Sequence, residues 1–317
     1  MISEFSFEEI SFVIPIKIDS QDRLENLNFI CNYLINRYIN SQIIIVECDK
    51  ASTLSCFAEK LELEYYFLNS ERFSKTRAIN LGLIKSNKTL ICIWDADMIA
   101  SPSAISQGIG ILQKGNINLV IPHNQIFVNI KNELRNDFLQ NFKDGVSYFH
   151  SINKFSKNSS NENIDIYKCH GGFILTLKST LQSVGGFNYL MTSYGWEDSE
   201  ILLRFKKLGL NYCFIKDYSA IHLDHFRGED SKIGDFYEQN FSEYNRVKSK
   251  SYTELFSYST STLKYGLNIK SDVNDDFRKL NFLSRVFKLM IFYKHYIYFL
   301  YSVFGFNYFI KRFFKTL

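Results

Sequence analysis

Residues 90–99 read LICIWDADMI, and the reading of this stretch decides the fold. Its first five residues form an apolar run without polar alternation, which describes a strand buried on both faces. Asp95 and Asp97 follow at once, with only Ala96 between them. The sequence before it has the same character. Apolar runs at 12–16, 43–46 and 65–68 read as strands, and helical spacing fills 22–38, 53–61 and 73–84. In the first of these helices Leu24, Leu27, Ile30, Leu34 and Ile35 recur on one face. Strand and helix in strict alternation give a parallel sheet covered by helices, because parallel neighbours need a long crossover. Ligands of such sheets bind beyond the carboxyl ends of the strands. Two charged strand ends are therefore site candidates: Glu47, Cys48 and Asp49 after the second strand, and Asp95, Ala96 and Asp97 after the fourth.

The alternation continues with a helix over 102–113 and a strand over 118–121. Residues 144–168 are polar and rich in Ser, Asn and Lys, which predicts a long loop. Gly171 and Gly172 precede a strand ending at 177, and a GGF turn falls at 185–187. A helix over 197–208 and a final strand pair, 212–215 and 220–223, follow; the last strand ends in His222 and His225.

The chain has 317 residues, 46% of them apolar and 22% charged, enough for a full core, which excludes a disordered protein. Three prolines and fifteen glycines exclude collagen-like and low-complexity classes. The net charge of +4 is unevenly spread. Residues 277–317 hold five Lys, three Arg and no acid, which leaves −4 for the first 276 residues. The same tail holds fifteen of the 50 Phe and Tyr residues. An acidic body argues against a nucleic-acid binder. The six cysteines are scattered without a C-x-x-C pair, as expected of free thiols in a reducing compartment. The opening MISEFSFEEI lacks the basic and apolar regions of a signal peptide. The uncharged run in the tail, 296–310, is shorter than the ~20 residues that span a bilayer. The expectation is a cytoplasmic protein, peripheral on the inner face of the cell membrane. Its basic, aromatic tail suits an anionic membrane surface, or else a helical subdomain that packs on the body or forms a homodimer.

Two carboxylates at a strand end suit a hard divalent cation, Mn²⁺ or Mg²⁺, held jointly with phosphate oxygens. The same residues also serve as turn or capping groups before the helix at 102. His222 and His225, in H-x-x-H spacing, offer imidazole as a further ligand, or are ordinary polar residues. The segment GWEDSE, 195–200, sets three carboxylates at a helix start. Acids favour a first helical turn through the macrodipole. A Trp beside adjacent acids also resembles a sugar site, in which Trp196 packs on a pyranose and a carboxylate serves as general base.

The order of these features resembles the GT-A-fold glycosyltransferases, in particular bacterial family-two enzymes with a carboxyl half like the β-1,4-galactosyltransferases. FSKTRAINLG (73–82) resembles the donor segment, IWDADMI (93–99) the strand-D-x-D motif, and GGFILTLKSTLQSVGGF (171–187) with YGWEDSEILLRFKKLG (194–209) the acceptor and catalytic motif. The similarity covers residues 10–230. It departs from the pattern twice: the first strand ends in PIKIDSQDR instead of an Arg-rich segment, and GWED replaces WGGED.

The resemblance implies a mixed, mainly parallel α/β sheet flanked by helices over 1–250, with a nucleotide-sugar half to about 122 and an acceptor half beyond it. Residues 251–317 would form a helical, basic-aromatic extension. It implies Mn²⁺ (or Mg²⁺) on Asp97, with Asp95 assisting and His222 or His225 completing the set, His222 being nearer the strand end. Phe73, Lys75, Arg77, Ala96, Pro15, Lys17 and Glu47 would contact the donor, a UDP-sugar. Gly171, Gly172, Trp196 and Glu197 would meet the acceptor, a glycan or lipid-linked oligosaccharide, and Asp198 would be the base of an inverting reaction. A retaining transferase and a catalytically silent binding protein are the alternatives.

Overall fold

The computed structural model describes residues 7–141, 163–228, 230, 234–264 and 266–267. β1 (Ile10–Ile16) is buried at every position. A strand with no polar face needs cover on both sides, and β1 lies inside a seven-stranded sheet. β2 (Gln42–Asp49), β3 (Glu64–Asn69) and β4 (Leu90–Trp94) run parallel with it. The crossovers are α1 (Gln21–Arg37), α2 (Ser55–Lys60) and α3 (Lys75–Lys85). Ser20 caps α1 by accepting a hydrogen bond from the Arg23 amide. β4 passes through the two-residue β5 (Met98–Ile99) to α4 (Pro102–Gln113), β6 (Leu119–Ile121), β7 (Ile126–Ile130) and α5 (Asn132–Asn141). Then come β8 (Ile164–Lys168), β9 (Phe173–Leu177), α6 (Lys178–Ser183), α7 (Glu197–Lys207), β10 (Tyr212–Phe214) and β11 (Ala220–Leu223).

The large sheet has the order β10-β6-β9-β4-β1-β2-β3. Within it β9 runs antiparallel to both of its neighbours, β4 and β6. A second sheet, β5-β11-β7-β8, lies alongside in sequence order 5-11-7-8. Two expectations are corrected here. Residues 164–168 form a strand paired with β7, not loop; residues 144–162 of the expected loop lie outside the described residues. The two late strands do not pair with each other, because β10 joins β6 in the large sheet while β11 joins β5 and β7 in the small one.

The core centres on Trp94, whose ring meets Phe12, Tyr38 and Phe173 at 5.6, 6.2 and 4.7 Å. Its indole N–H donates to the Met98 carbonyl at 2.7 Å, so a large aromatic is buried with its polar atom satisfied. α7 is fixed by a fully buried ion pair. Arg204 meets Glu200 at 2.8 Å and also donates to the carbonyls of Val184 and Gly186. Removing one partner of such a pair strands the other charge. Arg204→Leu is therefore expected to lower unfolding free energy by about 3–5 kcal/mol, measured by urea denaturation; a loss under about 1 kcal/mol would mean that Glu200 finds another partner.

Beyond β11 come α8 (Asp235–Ser249) and α9 (Tyr252–Ser257), the latter with a Ser251/Glu254 capping box, then a π-helical turn, Tyr258–Leu263. Val247, Leu255, Tyr258 and Leu263 form a small cluster against Tyr189, Leu203 and Leu208, which packs this segment on α7. No helix among the described residues is long and apolar enough to cross a membrane. The basic, aromatic tail at 277–317 lies outside the described residues.

Candidate active site

Parallel strands end at one edge of the sheet, and the antiparallel β9 begins there. The register Trp94↔Phe173 sets Gly171 and Gly172 beside the aspartates, and the Asp95 amide donates to the Gly172 carbonyl at 3.0 Å. Gly171 is required by close approach: a Cβ there would lie 1.9 Å from Asp198 Oδ2. The small sheet brings in the histidines. His222 sits opposite Met98 across β11 and β5, and the Leu223 amide donates to the Asp97 carbonyl at 2.8 Å. Glu197 and Asp198 open α7, so their position follows from where that helix starts.

That start carries strain. Trp196 has φ of 71°, the left-handed region that favours glycine. The related motif has glycine immediately before its E-D pair, and here Trp196 takes that backbone conformation. Its ring does not face the cavity. It packs on Phe241, Tyr244 and Tyr237 of α8, with centroids at 4.6, 5.0 and 5.8 Å. The expected sugar-stacking role of Trp196 is thus corrected to an internal one. Phe73, Phe127, Tyr167 and Tyr194 line the cavity instead, and of these Tyr194 is the exposed one, at 42%.

Asp97, His222 and His225 form a buried cluster whose candidate ligand atoms lie within 4.8 Å of one another. His225 Nε2 is 2.9 Å and His222 Nε2 4.0 Å from the Asp97 carboxylate, so His225 is the nearer. Each imidazole has its other nitrogen engaged. His222 Nδ1 donates to Asn129 Oδ1 at 2.6 Å, and His225 Nδ1 to the Phe226 carbonyl at 2.6 Å. Both Nε2 atoms are therefore turned toward Asp97, the outer-shell arrangement that orients metal-binding histidines. Burial brings His222 down to about 4, so its ring is neutral at pH 7. Burial opposes the charge on Asp97, yet a hydrogen bond from His225 and the nearby Arg23 guanidinium act against it, and the carboxyl is held below its ordinary range. One carboxylate and two imidazoles suit Mn²⁺ or a similar divalent ion.

Lys75 organises the opposite wall. Its ammonium lies 3.0 Å from Asp95, 3.4 Å from Glu197 and 3.4 Å from Asp198. Burial disfavours its charge, but Asp198, Asp95 and Glu197 together raise it well above the usual lysine range. Burial lifts Asp95 to about 7, with Asp198 and Asp97 adding to the rise and Lys75 opposing it. Glu197 is raised for the same reasons, burial first and Asp198 next.

The two groups share one cavity of about 190 Å³, which Pro15, Phe73, Ala96 and Gly172 also line. Lys17 borders an adjoining cavity of about 440 Å³, bonded to Asp230 at 2.7 Å. Arg77 and Glu47 line neither. Glu47 is corrected from donor contact to internal support: fully buried, it accepts from the Thr53 and Leu54 amides, the Thr53 hydroxyl and the Tyr65 hydroxyl. Sequence reasoning missed Asp230, which accepts from Lys17, the Phe73 amide and Ser193 and so ties three segments at the cavity rim. It also missed Arg23, 3.7 Å from Asp97, which sits in a helix with no mark in its spacing.

A sequence family described as the N-terminal domain of galactosyltransferase matches residues 152–227. Those residues include Gly171, Gly172, Glu197, Asp198, His222 and His225. No curated protein matches the chain. Among solved structures, GalNAc-T7 in complex with UDP, GalNAc and Mn²⁺ superposes with a TM-score of 0.51 at 14% identity, over 83% of this chain and 55% of that one. A β1,4-galactosyltransferase 7 mutant from Drosophila, complexed with manganese, UDP-Gal and xylobiose, gives 0.41 at 13% identity, over 73% and 78%. A mannosyltransferase from Pyrobaculum calidifontis with GDP-Man and Mn²⁺ gives 0.46 at 17% identity, over 82% and 72%. The fold is that of the GT-A glycosyltransferases, a mixed and mainly parallel sheet with flanking helices.

Proposed function

We propose that the chain is an inverting, metal-dependent glycosyltransferase that moves a sugar from a UDP-sugar to a hydroxyl of a surface-polysaccharide or lipid-linked glycan acceptor. The observation that carries this reading is one cavity with Asp97, His222 and His225 on one wall and Asp198 on the other. Asp97, His222 and His225 would hold Mn²⁺, which as a Lewis acid offsets the charge developing on the leaving diphosphate. Asp95 and Lys75 line the same cavity and would contact the donor phosphates. Asp198 would accept the acceptor proton from the face opposite the diphosphate, which gives inversion. Tyr194 is the exposed aromatic available to the acceptor sugar. The local support comes from the match of residues 152–227 to a galactosyltransferase domain.

Thermal stabilisation by UDP- and GDP-sugars, with and without Mn²⁺, tests the reading, since a ligand that binds only the folded state raises its stability. A rise that needs both sugar nucleotide and Mn²⁺ is expected. No response to any nucleotide sugar would sink it.

The tail at 277–317 would hold this domain at an anionic membrane on the cytoplasmic side, where a lipid-linked acceptor is found. At ~1 kcal/mol per basic residue near such a surface, eight basic groups suffice to localise a protein. The full chain is expected to sediment with phosphatidylserine-containing vesicles, and a variant ending at residue 276 to stay in solution. Equal sedimentation of the two would remove the tail from this role.

A further inference from the structure

Lys75 is where the two halves of the chemistry compete. Its side chain is only 12% exposed, and its ammonium stands within 3.4 Å of Asp95, Glu197 and Asp198. An ammonium has three N–H donors, and three carboxylates surround it. One of them, Asp198, is the proposed base. Yet Lys75 also lines the cavity shared with Asp97 and the histidines, where the diphosphate of a donor would carry more negative charge than any one carboxylate. One cation cannot serve both partners at full strength.

The geometry points to Lys75 as a donor-operated latch on the catalytic base. With no donor bound it holds Asp198 in an ion pair, and the diphosphate of a bound nucleotide draws the ammonium away and leaves Asp198 free to accept a proton. This rests on the transferase reading above. Lys75 is in this respect a positioning residue: it acts on the acceptor through Asp198. The consequence is order. The base becomes available only after the donor is in place, so an acceptor that arrives first meets a neutralised carboxylate.

Linkage supplies the test. If the diphosphate weakens the hold of Lys75 on Asp198, then Asp198 weakens the hold of Lys75 on the diphosphate by the same factor. Calorimetric titration of the full-length chain with UDP in Mn²⁺ is therefore compared for the wild type, Asp198→Asn, Lys75→Gln and the double variant, with uridine as the probe that lacks phosphate. Asp198→Asn is expected to tighten UDP binding by about fivefold or more, the gain is expected to vanish in the Lys75→Gln background, and uridine binding is expected to be the same throughout. An unchanged affinity for UDP in Asp198→Asn would overturn the latch. So would an equal gain in both backgrounds, which would reflect only the removal of a negative charge. Should Lys75→Gln fail to fold, a crystal structure of the wild type with UDP and Mn²⁺ decides. Separation of Lys75 from Asp198 supports the latch, and an intact pair overturns it. If neither UDP nor GDP binds the wild type, the transferase reading falls with it, whereas nucleotide binding indifferent to both residues overturns the latch alone.

Discussion

Asp198→Asn is expected to give a folded protein that binds UDP and Mn²⁺ no more weakly than the wild type but transfers sugar about 100- to 10,000-fold more slowly. Asparagine has the size of aspartate, so it fits the space that Gly171 leaves open by having no Cβ. What it lacks is a lone pair basic enough to take a proton from an alcohol. The loss should therefore appear in kcat, with no loss of donor affinity, as expected when an interaction made only in the transition state is removed. Turnover and calorimetry on the same preparation check it. Normal turnover would take Asp198 out of the mechanism, and a product with retained anomeric configuration would contradict its use as a base in direct displacement.

The second large effect is expected at Asp97. Changing it to Ala should bring UDP affinity in Mn²⁺ down to the value measured in EDTA, a fall of about 100-fold. His225→Ala should act in the same direction, since its Nε2 is the closer of the two imidazole atoms to the Asp97 carboxylate. Removing Asp97 also leaves Arg23 without one of its acid partners, although Asp19 still holds it at 3.1 Å. Urea denaturation of the variant separates a lost ligand from a lost fold. An affinity in Mn²⁺ unchanged by Asp97→Ala would sink the metal assignment.

Much of the large sheet was legible in the sequence. The runs at 12–16, 43–46 and 90–94 are buried on both faces, and such strands announce themselves without knowledge of their neighbours. The small sheet was not legible. β5 has two residues, β8 is half-exposed with no clean alternation, and the division of β10 and β11 between sheets is decided by partners ninety residues or more away in the chain. The site divides in the same manner. Asp95, Asp97, Glu197, Asp198, His222 and His225 were found because each stands at the end of a strand or the start of a helix, where polar chemistry is conspicuous. Glu47 stands at such an end too, but its carboxylate closes a turn at Thr53 and Leu54, and only the folded chain distinguishes these fates. Trp196 was misplaced because a left-handed backbone turns its ring toward α8. Arg23 and Asp230 reach the site through tertiary approach alone.

The antiparallel β9 has a consequence for modularity. It comes from the carboxyl half of the chain, yet it lies between β4 and β6, which come from the first 122 residues. Without it the nucleotide-side strands would be left as a four-stranded block, with β6 detached from it and two new raw edges open to pairing with other chains. The two halves are joined by a seam of ladder hydrogen bonds along both edges of β9. An acceptor half cannot be exchanged as a cassette, by recombination or by design, unless the replacement also supplies a central strand of the donor sheet in the same register. On the proposed reading, acceptor specificity would change more freely through loops and single side chains such as Tyr194 than by swapping parts.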